Sequence, residues 1–236
     1  MAKYRKKTAA QADHTAQPFQ VPAYNEQVTQ TIPFYREIHQ QVLELVRTRY
    51  PNRPVTWLDT GCGTGTLAAA AVQQVSLKKL TLCDPSPFML EQAKAALADA
   101  PIPVTFLQQP SQNLLFCQDF DVVTAIQAHH YLDGETRLLA TKRCWEALMP
   151  GGIYLTVENM APLTETGKEM NLRRWEQFQI AHGKSPEAAK EHIDRYGKAY
   201  FPISLPEHLQ VLHEAGFQTA EVFWLSYLQI GLFGIK

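Results

Sequence analysis

The residues best placed to do chemistry cluster in the first half of the chain. Trp57-Leu58-Asp59-Thr60-Gly61-Cys62-Gly63-Thr64-Gly65 joins an apolar run to an alanine-rich one, and Asp84 closes the next apolar run. Glycines at alternate positions let the chain turn tightly and let a ligand lie on the backbone with no Cβ in the way. A helix that starts there aims its free N–H groups at the turn. An acid at the end of the following strand is placed to accept both hydroxyls of a ribose. Strand, glycine turn, helix and acid in that order make a nucleoside-binding pattern; the bland alternative is a glycine-rich loop beside an unrelated aspartate. The pattern is G-x-G-x-G, and Thr66 stands where a dinucleotide fingerprint has its third glycine, which argues against a nicotinamide dehydrogenase.

Two further groups are candidates for catalysis. His129 and His130 follow the fourth apolar run, at the sheet edge where ligands sit in such folds. Imidazole there either takes a proton or packs with a hydrogen bond. His192, Arg195, Tyr196 and Tyr200 fall in a polar stretch. Its tyrosines face a cationic ligand or pack the segment. Arg173 and Arg174, beside Trp175, bind an acidic acceptor or form a solvated face.

These residues need a scaffold, and the periodicity supplies one. From Asn25 to Tyr50 apolar residues recur at helical spacing, broken by Pro33 into two pieces. Strands are predicted at Val55–Asp59, Lys79–Asp84, Val104–Leu107, Phe120–Ile126 and Ile153–Val157. Helices are predicted at Leu67–Val75, from the Ser86 cap to Leu97, and at Glu135–Leu148, the last stopped by Pro150-Gly151-Gly152. Strands alternating with helices make a doubly wound parallel sheet. The stretch Thr164 to His192 breaks the rhythm and is polar and largely helical. A helix at Pro206–Ala215 and two antiparallel β segments, Thr219–Leu225 and Tyr227–Ile235, close the chain.

Composition narrows the class. The 236 residues carry a formal net charge of −1, which predicts no nucleic-acid partner and no membrane partner. Residues 1–24 are expected to be a flexible arm, basic at Lys3, Arg5, Lys6 and Lys7; residues 25–236 are expected to be one domain. Cys62, Cys83, Cys117 and Cys144 are scattered with no C-x-x-C pair, so they read as reduced thiols of a cytoplasmic protein and not as metal ligands. No apolar stretch is long enough to span a bilayer.

Val55 to Gly65 resembles the first motif of the class I S-adenosylmethionine-dependent methyltransferases. Leu82-Cys83-Asp84-Pro85-Ser86-Pro87-Phe88-Met89-Leu90 resembles their second, and Phe120-Asp121-Val122-Val123 and Leu148-Met149-Pro150-Gly151-Gly152 resemble later ones. The resemblance implies a Rossmann-like, doubly wound, seven-stranded sheet, mostly parallel with an antiparallel last strand, and a helical lid at residues 164–203. It implies S-adenosyl-L-methionine as cofactor and a small-molecule methyl acceptor. Gly61, Gly63 and Gly65 would line the methionine and ribose, Asp59 the methionine amino group, Asp84 the ribose, Pro85 and Met89 the adenine. Where the family has an acidic residue after the third strand this chain reads Gln108-Gln109-Pro110-Ser111-Gln112, so Ser111 or Gln112 takes the adenine amino contact. Gln127 is placed to touch the methionine moiety.

The tail from Gly183 to Lys236 and Ile32-Pro33-Phe34-Tyr35 are similar to a subgroup, the carboxy-S-adenosylmethionine synthases that serve tRNA modification. That likeness implies that Tyr35 closes over the cofactor and that the lid serves a homodimer or the pocket. The subgroup's arginine for the extra carboxylate falls at Ile193, and an aliphatic side chain cannot replace a bidentate pair. Arg195 lies two residues on. The reading is therefore a methyltransferase with ordinary cofactor, His130, His129, Tyr200 and Arg195 being the catalytic candidates. The carboxymethyl-forming synthase is the alternative, and a non-catalytic cofactor-binding scaffold the remaining one. Methyl transfer is an in-line displacement on an activated donor, for which orientation contributes roughly 7–11 kcal/mol in favourable cases; a base is needed only where the acceptor must lose a proton.

Overall fold

A computed structural model describes residues 27–236; the arm expected at residues 1–24 lies outside them. A first helical segment, α1, is described over residues 27–31 and ends before Pro33. Helix α2 (Tyr35–Arg49) then leads into the sheet, so the stretch is helical in two pieces. The strands are β1 (Val55–Thr60), β2 (Leu77–Cys83), β3 (Val104–Leu107), β4 (Phe120–Ile126), β5 (Leu148–Asn159), β6 (Thr219–Ser226) and β7 (Gln229–Ile235). Their order is β3-β2-β1-β4-β5-β7-β6. The first five run parallel, and β7 is antiparallel to both β5 and β6. This is the expected Rossmann-like sheet. Crossovers leave β1 toward β2 on one side and reach β4 on the other, so the carboxyl ends of β1 and β4 diverge around a crevice.

Burial on both faces explains the apolar strands. On one face Trp57 of β1 packs with Val42 and Val46 of α2 and with Leu67 and Ala71 of α3 (Thr66–Gln74). On the other face Leu58 packs with Val123, Tyr154 and Cys144, the last on α5 (Gly134–Ala147). Leu212 of α8 (Leu205–Ala215) joins that second core. The starts of the helices are set by their capping side chains. Ser86 Oγ accepts from Met89 N at the head of α4 (Pro87–Ala96), and Asp133 accepts from Thr136 N at the head of α5. Ser204 and Glu207 form a capping box on α8, and Gly216 ends that helix at φ 114°.

Helices α6 (Glu165–Ala181) and α7 (Pro186–Ile193) occupy the polar stretch between β5 and α8. They carry a small core of their own around Trp175, Tyr200 and Leu228. Trp175 Nε1 donates to the Thr31 carbonyl at 2.7 Å, which ties the segment to the end of α1. Arg174 lies 3.8 Å from the centre of the Tyr227 ring and is spent on that face. No helix among the described residues is long and apolar enough to cross a membrane.

Two local expectations are corrected. Pro150-Gly151-Gly152 is not a turn between α5 and β5 but part of β5, which starts at Leu148. The β4–β5 register shifts there, and a Cβ on Gly152 would meet Leu148 Cδ2 and the Met149 carbonyl at 2.9 Å, so the glycine permits a close irregular pairing. Tyr227 does not open the last strand. It sits at φ 52° in a two-residue turn between Ser226 and Gln229.

Candidate functional site

Parallel pairing of β1 with β2 sets Thr60 opposite Cys83, so the glycine turn and Asp84 leave the sheet side by side. Gly61, Gly63 and Gly65 have φ of 67°, 54° and 76°, the left-handed region that favours glycine. A Cβ on Gly61 would fall 2.5 Å from Ala128 Cβ, and one on Gly65 would fall 3.1 Å from Ala93 Cβ. Those two glycines serve close packing. A Cβ on Gly63 would meet nothing within 4 Å, so the middle of the turn opens on free space. The Gly63 N–H donates to Asp84 Oδ2 at 2.9 Å and the Ser86 N–H to Oδ1 at 2.9 Å. Asp84 is thereby held as a buried carboxylate at the crevice wall.

Asp59 is buried on β1 and accepts from Thr124 Oγ1 of β4 at 2.7 Å. Thr124 in turn accepts from Trp57 Nε1 at 2.8 Å. Burial pushes the Asp59 carboxyl up to about 7; the Thr124 bond opposes this and the charge of Asp84 adds to it. A buried acid poised in this way favours a cationic partner. Neighbouring Cys62 and Cys83 are pushed up by burial and stay thiols, and all four described cysteines are free.

The short helical turn Ser111–Asn113 after β3 separates the two adenine candidates. The buried Ser111 hydroxyl is paired with Thr60 Oγ1 at 2.9 Å. Gln112 Oε1 is buried with no hydrogen-bond partner, an unmet acceptor that suits an amino group. Pro85 is exposed and Met89 half-buried at the head of α4. Tyr35 opens α2 with its ring 4.3 Å from that of His39, whose pKa burial lowers to about 4.

Beyond β4 the chain enters a short turn, His129–Tyr131, that the sequence flagged. Its partner was not flagged. Glu158, near the end of β5, is 2% exposed and accepts from His129 N at 3.1 Å, His130 N at 2.8 Å and Thr156 Oγ1 at 2.8 Å. His130 Nδ1 lies 2.8 Å from Glu158 Oε2. Burial alone would raise the Glu158 carboxyl, but the bond and charge of His130 lead the effects that bring it down to about 2. An acid close to a strand's carboxyl end, like Asp59 and Asp84, was the signal that could have found it.

Both histidines are buried. His129 faces a cavity of about 20 Å³ lined also by Arg137, Tyr154, Thr156 and His208. Burial holds the His129 pKa near 4. Arg137 donates to the His129, Leu132 and Phe201 carbonyls, so it clamps this turn to the exit of the α6–α7 segment. Tyr200 sits in the core of that segment with its hydroxyl donating to the His192 carbonyl at 3.3 Å. Its ring meets that of His130 edge to face at 5.9 Å. Arg195 is exposed, and Ile193 packs in the same small core. The structure thus brings Gly61, Gly63, Gly65, Asp59, Asp84 and Gln127 to one sheet edge, and places His130 under Tyr200 behind it.

These residues fit a nucleoside bearing a cationic arm. The open glycine offers backbone, Asp84 a carboxylate for hydroxyls, Gln112 an unmet acceptor, and Asp59 a buried acid. Residues 58–152 match the family model described as a methyltransferase domain. The chain is 24% identical over 221 residues to a carboxy-S-adenosyl-L-methionine synthase of Trichlorobacter lovleyi, covering 92% of this chain and 90% of that one. It is 27% identical over 232 residues to a malonyl-[acyl-carrier protein] O-methyltransferase of Haemophilus ducreyi, covering 85% and 88%. Its fold matches the structure of PigF with SAH at a TM-score of 0.59 and 18% identity, covering 86% of this chain and 57% of that one.

Proposed function

We propose that this chain, a class I S-adenosylmethionine-dependent methyltransferase, transfers the methyl group to a small-molecule acceptor held between the crevice and the α6–α7 lid. The observation that carries the reading is the glycine turn with Gly63 open and hydrogen-bonded to Asp84. Asp84 would hold the ribose hydroxyls, Gln112 or Ser111 the adenine amino group, Pro85 and Met89 the adenine faces. Asp59, Gly61, Gly63 and Gly65 would hold the amino-acid arm, with Tyr35 closing from α2. The bound cofactor supplies an activated methyl group on sulfur. The chain's work is then alignment of the acceptor and exclusion of water. For an acceptor that must lose a proton, His130 is the better base. Glu158 beside its Nδ1 favours the tautomer that leaves Nε2 free and would steady the imidazolium. His129, Tyr200 and Arg195 then shape the wall or charge of the acceptor site.

Residues 25–236 are read as one catalytic domain with its lid at 164–203, acting in the cytoplasm, where four free thiols are at home. Nucleic acid is not expected among its partners. Exposed Leu163, beside the lid, and Met170, on its first helix, are available to a second copy, which supports a homodimer.

The synthase names among the relatives favour one second reading, formation of a carboxylated sulfonium. Against it stands Ile193, apolar in a packed core. Mass spectrometry after incubation with S-adenosylmethionine and a panel of hydroxy, amino and carboxylic acceptors tests both. A methylated acceptor with matching S-adenosylhomocysteine supports the first reading. A carboxylated sulfonium supports the second and overturns the first.

A further inference from the structure

Three side-chain amides run in series across the crevice edge, and nothing in the reading above uses two of them. Gln127 Nε2 donates to Gln229 Oε1, and Gln229 Nε2 donates to Asn159 Oδ1 at 2.8 Å. Gln229 is 0% exposed and Asn159 is 4% exposed. The antiparallel register pairs Asn159 of β5 with Gln229 of β7, so two strands hold the far end of the series rigidly. The near end is strained. Gln127 lies at φ 56°, unfavourable for a side chain with a Cβ, and is held there by its N–H bond to the Val157 carbonyl at 2.7 Å. Ala128, the next residue, is the one that the Cβ-free Gly61 lets come close.

A series of amides has a direction. The bond from Nε2 to Gln229 fixes which way the Gln127 amide faces, and the carbonyl oxygen at its other end can only accept. Asp59, also an acceptor, lies on the neighbouring strand, opposite Thr124 and three residues before Gln127 along β4. Two acceptors at one edge call for a ligand group with several donors and a positive charge.

We propose that Gln229 and Asn159 are positioning residues that hold the Gln127 amide with its oxygen toward the crevice, where it accepts from the ammonium group of the cofactor's amino-acid arm. The inference rests on the cofactor reading above. It adds that recognition of the ammonium is set from β5 and β7, two strands that carry none of the glycine-turn motifs. An apolar residue at 229 frees the Gln127 amide to rotate and weakens only ligands that possess the ammonium group.

Calorimetry with two probes tests this without knowing the acceptor. S-Adenosylhomocysteine carries the amino-acid arm, and 5′-methylthioadenosine lacks it. Gln229→Met and Gln127→Met should each lower affinity for S-adenosylhomocysteine by roughly tenfold, the size of one hydrogen bond to a charged group. Methylthioadenosine should bind all variants within about twofold of the wild-type chain. The double variant should be no worse than either single one, and Gln229→Glu, which keeps an acceptor for Gln127, should restore the ratio. Should Gln229→Met fail to fold by circular dichroism, Asn159→Ala, which removes the acceptor of Gln229 Nε2, is scored in its place with the same expected loss. Equal loss for both probes, or no loss for either, overturns the inference. Failure of the wild-type chain to bind S-adenosylhomocysteine overturns the cofactor reading instead.

Discussion

At the scale of the residue, the account rests on two acids, Asp84 and Asp59. Asp84 is held at the crevice wall by two backbone N–H donors, where its carboxyl group would meet the ribose hydroxyls. Asp84→Asn should therefore lower affinity for S-adenosylhomocysteine by roughly 10- to 100-fold, from hydrogen bonds to a charged group worth about 1.5–3 kcal/mol; calorimetry checks this against an unchanged melting temperature. Asp59 has its carboxyl raised by burial to about 7. Below that pH it is protonated in the free protein and cannot pair with an ammonium. Affinity for S-adenosylhomocysteine should fall by up to about tenfold per unit as pH drops through 7, and Asp59→Asn should flatten that slope. Both acids were legible because each ends a strand of the glycine-turn motif. Glu158 shares that position near a strand's end, but no glycine turn follows β5 to mark it, and its backbone N–H donors at 129 and 130 leave no trace in the spacing. Glu158→Ala should destabilise the fold by about 3 kcal/mol or more, since several buried donors lose their acceptor; urea unfolding measures it.

At the scale of the element, alternation of apolar runs with helical spacing was enough to place the strands and the helices after β1, β2 and β4. What periodicity missed was irregular pairing: Pro150 to Gly152 look like a helix stop, yet the strand passes through them because the β4–β5 register shifts. The turn at Tyr227 escaped for a related reason, a left-handed residue without glycine. The glycines of the β1–α3 turn give an element-level test. Gly61→Ala adds a Cβ 2.5 Å from Ala128 at a positive φ and should cost about 2–4 kcal/mol of stability. Gly134→Ala, at the open first turn of α5, should be neutral or stabilising by about 0.4–1 kcal/mol. Thermal and urea melts of the pair separate packing at the turn from any general intolerance of substitution.

At the scale of the whole molecule, buried histidines set the acid limit. Burial leads in lowering His39, His129 and His208 to about 4 and His192 to about 3. Each binds its proton more readily when unfolded, so stability rises with pH across the window from about 4 to 6.5 and is lost as pH falls through it. Asp59 acts in reverse, holding its proton in the fold up to about 7, and offsets one of these histidines between the normal aspartate range and neutrality. Urea denaturation at stepped pH should show net proton uptake on unfolding between pH 4.5 and 6. The sheet order, with β7 inserted between β5 and β6, is also a whole-molecule property. The motif resemblance implied seven strands with an antiparallel last one but not their order, since periodicity finds strands but not their neighbours. That order brings Gln229 to the crevice edge from a hundred residues away in sequence, beyond the reach of any local pattern.

The central claim is that the backbone from Gly61 to Gly65, with Asp84, cradles the adenosyl group of S-adenosylmethionine. A crystal structure with S-adenosylhomocysteine measures it directly. The account predicts ribose hydroxyls on the Asp84 carboxylate, the sugar and sulfur against Gly63, and the adenine amino group within hydrogen-bond distance of Gln112 or Ser111. Density for the ligand elsewhere, or a crevice filled by protein side chains at saturating ligand, would contradict it.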